Sequence, residues 1–215
     1  MTPPRTQTTE LYEWPPTRSQ REKWALEELG IDYSSHLVDL QNGQQDSGAY
    51  LALQPLGVVP ALKTADYAMF ESVAIVLQLI DEHPVKNLAP AVGSPERASY
   101  YQWCVFACAE LDSPIMMFFD NTMRPLAHMR PAGAQHDSAL AERGRSDFAA
   151  RAQILSAVLG DRDYLLGREF SGADILVGHS CFMAGVTGLI GDYPVLEADH
   201  ARLQQRPAYQ RAYGH

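Results

Sequence analysis

The chain has only three cysteines, Cys104, Cys108 and Cys181, and no run of basic residues. Each shortage excludes a class of protein. Three cysteines cannot form the paired framework of a small secreted domain, and their number suits a reducing compartment. Lys and Arg total 17 against 26 Asp and Glu, giving a formal charge of −9, with no basic cluster to neutralise a series of phosphates. Nucleic acid is therefore not an expected partner. The opening residues MTPPRTQTTE lack the apolar stretch of a secretory signal, so the expected location is cytoplasmic. The most apolar segment, Ile175 to Ile190, contains His179, Ser180 and Thr187 and ends at Asp192. It falls short of the roughly 20 apolar residues a bilayer span needs, and it reads as a buried helix with no membrane partner. The seven histidines follow no HExxH-like spacing. Cys104 and Cys108 stand four apart on one helical face, as a metal or redox pair would. No further Cys or His lies at ligand spacing, so the pair reads as packing and no metal is expected.

What is present is a globular composition, 46% hydrophobic and 20% charged over 215 residues, enough for one large core or two small ones. The pattern changes near residue 84. Before it, short apolar runs alternate with helical periodicity: residues 10–14, a helix over 18–30, residues 33–40, 58–64 and 67–70, then a helix over 72–83. The order β-α-β, connection, β-β-α predicts a mixed sheet with helices on its faces. In the first helix Trp24, Leu26 and Leu29 form the apolar face, Arg21, Glu22, Lys23, Glu27 and Glu28 are expected in solvent, and Gly30 is a C-cap.

Residues 83–96, HPVKNLAPAVGSPE, have a linker's composition, and the rest of the chain is helical: residues 96–119, a Pro-broken loop at 123–133, a helix over 138–160, the segment 174–190 and a short end. This divides the chain into an α/β domain at residues 9–84 and an all-α domain at residues 94–215. No internal repeat is present. In FSGADI, Ser171 and Asp174 have the spacing of a capping box.

Two features in the first domain point to chemistry. Pro60 interrupts an apolar strand. It can sit at a strand start in the trans form, or a cis bond can turn the Val59 backbone out toward an extended peptide. Glu71 and Ser72 lie where a hairpin strand passes into a helix. Helix-terminal N–H groups with the Ser72 hydroxyl suit a carboxylate and Glu71 suits an ammonium, although Ser72 is equally a plain N-cap.

The ordered series LYEWPPTRSQREKWALEELGIDY, NGQQDSGAYLALQPLGVVPAL, FESVAI, FSGADI and RPAYQRA resembles the cytosolic glutathione S-transferases over Leu11 to about Tyr213, with an N-terminal domain of the bacterial zeta-, theta- and nu-like type. The resemblance implies a thioredoxin-like N-terminal domain that binds glutathione, an all-helical C-terminal domain that helps form the pocket for a hydrophobic electrophile, and a homodimer. It implies that Val59, beside a cis Pro60, pairs with the cysteinyl part of glutathione, and that Glu71 and Ser72 hold the γ-glutamyl end. It places Gln45, with Gln44 as second choice, at the glycyl end. Many members carry a basic residue where this chain has Val58.

The first loop departs from the family. Its activating Ser falls at Pro16 and the Cys of beta-like members at Arg18, which leaves Thr17, nearer that position, and then Ser19 as hydroxyls able to stabilise a thiolate, with Arg18 or a backbone N–H as alternatives. Either hydroxyl also suits an N-cap. The expected activity is conjugation of the glutathione thiolate to a small electrophile, a detoxification chemistry. Its alternatives are glutathione-dependent disulfide reduction and non-catalytic glutathione binding. An aromatic stripe of Tyr100, Tyr101, Trp103 and Phe106, with the loop around Trp14, is a candidate lining for the electrophile.

Overall fold

The computed structural model describes residues 9–123 and 135–214. Apart from Met123, the Pro-broken loop read at 123–133 lies outside them. The chain divides into two compact units, one running to Lys86 and taking up the chain again from Ala208, the other Asn87–Pro207.

The first unit holds β1 (Thr9–Glu13), α1 (Ser19–Leu29), β2 (Tyr33–Leu37), a 3-10 turn (Gln44–Asp46), α2 (Gly48–Leu51), β3 (Ala61–Lys63), β4 (Ala68–Phe70) and α3 (Ser72–Glu82). The strands run in the order β2-β1-β3-β4, with β1 parallel to β2 and antiparallel to β3, and β3 antiparallel to β4. This is a thioredoxin-like mixed sheet. Alternation along β1 sends Thr9, Leu11 and Glu13 to a buried face. α1 packs against α3, and Trp24, Leu26 and Leu29 are buried with Ile75, Val76, Leu79 and Ile80. Each such side chain contributes about 1.5–3 kcal/mol. A smaller cluster of Val38, Tyr50, Val59 and Ala61 gathers Tyr12, Trp14, Leu40 and Leu53. α1 ends as its sequence predicts: Gly30 takes φ 69° and the Ile31 N–H returns to the Leu26 carbonyl at 3.0 Å.

A terminal helix, Pro207–Tyr213, also belongs to this unit, whereas the sequence boundary assigned it to the helical domain. The reason is aromatic. Trp24 meets the Tyr209 ring edge-on at 4.9 Å, and Arg211 pairs with Glu27 at 2.5 Å. Contacts of this span leave no local sequence signature.

The second unit contains α4 (Pro95–Phe106), a π-helical turn (Ala107–Leu111), α5 (Asp112–Thr122), α6 (Ser138–Leu159), α7 (Gly172–Val186), a 3-10 turn (Ile190–Asp192) and α8 (Pro194–Leu203). Helix α8 falls in what the sequence reading treated as a short end. The expected single helix over 96–119 is interrupted by the π turn. Its wider spacing breaks the shared face expected for Cys104 and Cys108: Cys104 is buried and Cys108 exposed. α7 opens with the predicted capping box, the Ser171 hydroxyl accepting from the helix backbone and Asp174 accepting from the Ser171 N–H. Among the described residues no helix is long and apolar enough to cross a membrane, and no group of three or more His, Cys, Asp or Glu is placed to hold a metal ion.

Candidate functional site

Four segments of the first unit meet along one arc. It starts at the 3-10 turn. The Gln44 side-chain oxygen accepts the Asp39 N–H at 2.8 Å and so holds the loop. Gln45 differs: its side-chain oxygen is buried without a hydrogen-bond partner among the described residues. Next comes Gly57, at φ 62°. A Cβ there would stand 3.3 Å from an Asp46 carboxylate oxygen and 3.5 Å from the Gln45 carbonyl, so glycine permits the close approach of this turn to the next loop. In that loop the Val59–Pro60 peptide bond is cis, and Val59 and Pro60 are buried just before β3. Val58 is half exposed, and its carbonyl accepts the Tyr50 hydroxyl at 2.6 Å.

Val59 belongs to the cluster against which Trp14 packs, and Trp14 leads into the loop before α1. There the Ser19 hydroxyl accepts the Trp14 N–H at 3.2 Å and lies 2.7 Å from the Thr17 hydroxyl, which accepts the Ser19 N–H at 3.3 Å. Ser19 is completely buried, whereas Thr17 is half-buried. Neither is the N-cap of α1. That position is Arg18, in helical conformation and without a side-chain cap. Ser19 therefore ties the loop to the helix, and Thr17 is the hydroxyl nearer solvent.

The arc ends where the N-termini of α1 and α3 meet, with the Ser72 hydroxyl 3.5 Å from the Arg18 carbonyl. Two helix N-termini at one place make a region of positive potential. Glu71, not Ser72, is the N-cap of α3. It is exposed, makes no side-chain cap, and stands at φ 75° and ψ 103°, a conformation that L residues other than glycine rarely adopt.

Sequence reasoning missed one residue here. Glu22, expected in solvent with Arg21, is fully buried, as Arg21 is. Its carboxylate accepts the Ser72 hydroxyl at 2.5 Å, while its second oxygen has no partner among the described residues. Burial pushes its carboxyl up to about 8, against the opposing effects of Ser72, Arg21 and Arg18. A signal was present. Glu22, Leu26 and Leu29 stand at i, i+4 and i+7, so Glu22 lies on the apolar face despite its charge.

Residues 7–81 match the family "Glutathione S-transferase, N-terminal domain". Among curated proteins, glutathione S-transferase F9 of Arabidopsis thaliana is 27% identical over 194 residues, covering 86% of both chains. Elongation factor 1-gamma of Prunus avium is 30% identical over 172 residues, which are 77% of this chain but 38% of that protein. A solved structure of a sphingomonad glutathione S-transferase complexed with glutathione superposes with a TM-score of 0.81 at 27% identity, over 95% of this chain and 96% of that one. A matching N-terminal domain, near full-length relatives and the same fold place this chain in the glutathione S-transferase family.

Proposed function

We propose that the arc binds glutathione and that the chain transfers its thiolate to a small hydrophobic electrophile. The observation that carries this reading is the series of contacts linking the turn at Gln45, the Val59–Pro60 loop, the loop at Thr17 and Ser19, and Ser72 at the start of α3 beside Glu71. The sphingomonad relative, solved with glutathione, supports it. In this reading the unpaired Gln45 amide oxygen receives a donor at the glycyl end, and the Val59 backbone pairs with the cysteinyl residue. The α3 N-terminus with Ser72 takes the γ-glutamyl carboxylate, and Glu71 takes the ammonium. Glutathione is a co-substrate kept reduced in the cytosol, a setting that the chain's low cysteine count suits.

Thr17 is the thiol contact. A hydroxyl donates once and accepts twice, so in this reading the Ser19 hydroxyl donates across its 2.7 Å contact with Thr17, and Thr17 gives its own proton to the sulfur. A charge-assisted hydrogen bond of about 1.5–3 kcal/mol lowers the thiol pKa and raises the thiolate fraction near neutral pH. Orientation supplies the rest of the rate enhancement.

Calorimetry and turnover test the reading together. Glu71→Ala should weaken glutathione binding by about 2 kcal/mol, because the ammonium loses its counter-charge. Thr17→Val should raise the bound thiol's pKa by about one unit, seen as a loss of thiolate absorbance. Unchanged affinity in the first variant would remove Glu71 from the site. An unchanged titration in the second would remove Thr17. A second reading, glutathione binding without turnover, draws on Pro16 at the activating position and on the similarity to elongation factor 1-gamma. Binding without conjugation of a chlorodinitrobenzene-type substrate would favour it. We also propose a homodimer, on the family's pattern, which light scattering at micromolar concentration tests.

A further inference from the structure

The glutathione reading leaves one buried ionisable group unused, and it lies against the group that reading needs most. Ser72 is asked to give its hydroxyl to an incoming carboxylate, yet that hydroxyl is already given to Glu22 at 2.5 Å. Both residues are buried, so no bulk water screens one acid from the other. The cations nearest Glu22, Arg18 and Arg21, come from its own helix and its cap. The groups facing it from elsewhere are the Ser72 hydroxyl on α3 and Tyr213 on the terminal helix, whose phenol is held un-ionised by burial. Glu22 therefore meets no cation from the elements packed against α1 among these neighbours.

On the basis of the glutathione reading, we propose that Glu22 sets a proton requirement on the site: the ligand's α-carboxylate and the Glu22 carboxylate compete for the Ser72 hydroxyl, so the ligand binds with Glu22 protonated. Two carboxylates sharing one hydroxyl in a buried place do not both stay ionised, because like charges at this distance raise each other's pKa. The second oxygen of Glu22, with no donor of its own among the described residues, is where the proton resides. The proton comes from solvent. Burial already holds Glu22 at about 8 in the free protein, so below that pH the proton is in place and above it binding must take one up.

Affinity is accordingly level below about pH 8 and falls as pH rises further, because the competent fraction of the protein shrinks. For a group titrating at about 8, that fraction is about one-tenth at pH 9, which gives about a tenfold weaker apparent affinity than at pH 7. Glu22→Gln keeps the shape and an acceptor for Ser72 but removes the titration.

The experiment is calorimetry of S-methylglutathione, whose capped sulfur removes the thiol from the titration, on wild type and Glu22→Gln between pH 6.5 and 9. The ligand's own amine titrates alike in both. The affinity ratio of variant to wild type should rise about tenfold from pH 7 to pH 9. Wild type alone, in buffers of different ionisation enthalpy, should take up about half a proton per ligand at pH 8 and none at pH 6.5. That measurement holds even if the variant fails to fold. Identical pH profiles in the two proteins, or no proton uptake by wild type at pH 8, overturn the proposal and leave the glutathione reading standing. Absence of binding in wild type at pH 6.5 overturns the glutathione reading itself, and the proposal with it.

Discussion

The two units each bury a carboxyl group against a serine, and they do so to different ends. In the second unit Asp174 accepts the Leu165 N–H at 2.8 Å, the Ser171 N–H at 2.8 Å and the Ser171 hydroxyl at 2.8 Å. In the first unit Glu22 accepts one hydroxyl and leaves an oxygen unpaired among the described residues. Burial raises both carboxyls above the ordinary range, and for Asp174 three donors work against it. A carboxylate completed by backbone donors is part of the fold, because removing it strands those donors. One held by a single side chain contributes little to the fold and remains open to titration and to competition by a ligand.

The largest expected effect separates the two. Asp174→Ala leaves two buried N–H groups and a hydroxyl without an acceptor, at about 1–3 kcal/mol each, so the second unit should lose about 3 kcal/mol or more. Glu22→Gln keeps an acceptor for Ser72 and should be close to neutral at pH 5. Urea unfolding of both variants at that pH checks the contrast. A loss below about 1 kcal/mol for Asp174→Ala would mean that the capping box is not what holds the start of α7.

An effect smaller at each step, though it accumulates over several pH units, concerns the pH dependence of stability. The folded-state pKa of Glu22 lies above its unfolded value, so between roughly pH 5 and 8 the native state holds a proton that the unfolded chain has released. Stability from this group therefore falls as pH rises through that window. Glu22→Gln removes the fall, and the stability difference between variant and wild type should grow by about 1.4 kcal/mol per pH unit, levelling off above about pH 8. Unfolding midpoints that track each other across the window would show that Glu22 is ionised in the folded protein at neutral pH.

What the sequence revealed divides along the same line between local and distant partners. The Gly30 cap and the Ser171–Asp174 box were legible because each is written within four or five residues and depends on backbone geometry. The strand and helix order of the first unit was legible from periodicity. Glu22 was misassigned because its partner, Ser72, lies fifty residues away, and a charge on a mixed helix face reads as solvated unless its register with Leu26 and Leu29 is counted. The terminal helix was given to the wrong unit for the same reason, since Tyr209 finds Trp24 only in the folded chain. The choice of Gln45 over Gln44 rested on the family resemblance, while the geometry adds an independent reason: Gln44 is used in holding Asp39, and Gln45 has an unpaired oxygen. The sequence ranks Thr17 ahead of Ser19 because it lies nearer the family's activating position, and burial separates the two on a different ground.

The two units also differ at the start of a helix, and this gives the smallest expected effect. The N-terminus of α7 is closed by its own capping box, whereas α3 begins at Glu71 with no side-chain cap and a left-handed φ of 75°. A non-glycine residue in that conformation costs on the order of 1–3 kcal/mol, and nothing in the cap geometry offsets it. In the proposed function the offset comes from the ligand, since the Glu71 side chain is exposed and available to an ammonium. Glu71→Gly should relieve the backbone, but the added freedom of the unfolded glycine cancels part of that gain. The net result should be a rise in stability on the order of 1 kcal/mol, read as a higher urea midpoint, together with a loss of glutathione affinity. A residue held in this conformation for folding would give the opposite pattern, a lower midpoint with affinity unchanged. A higher midpoint with affinity unchanged would show that the strain at the start of α3 serves something other than the ammonium contact.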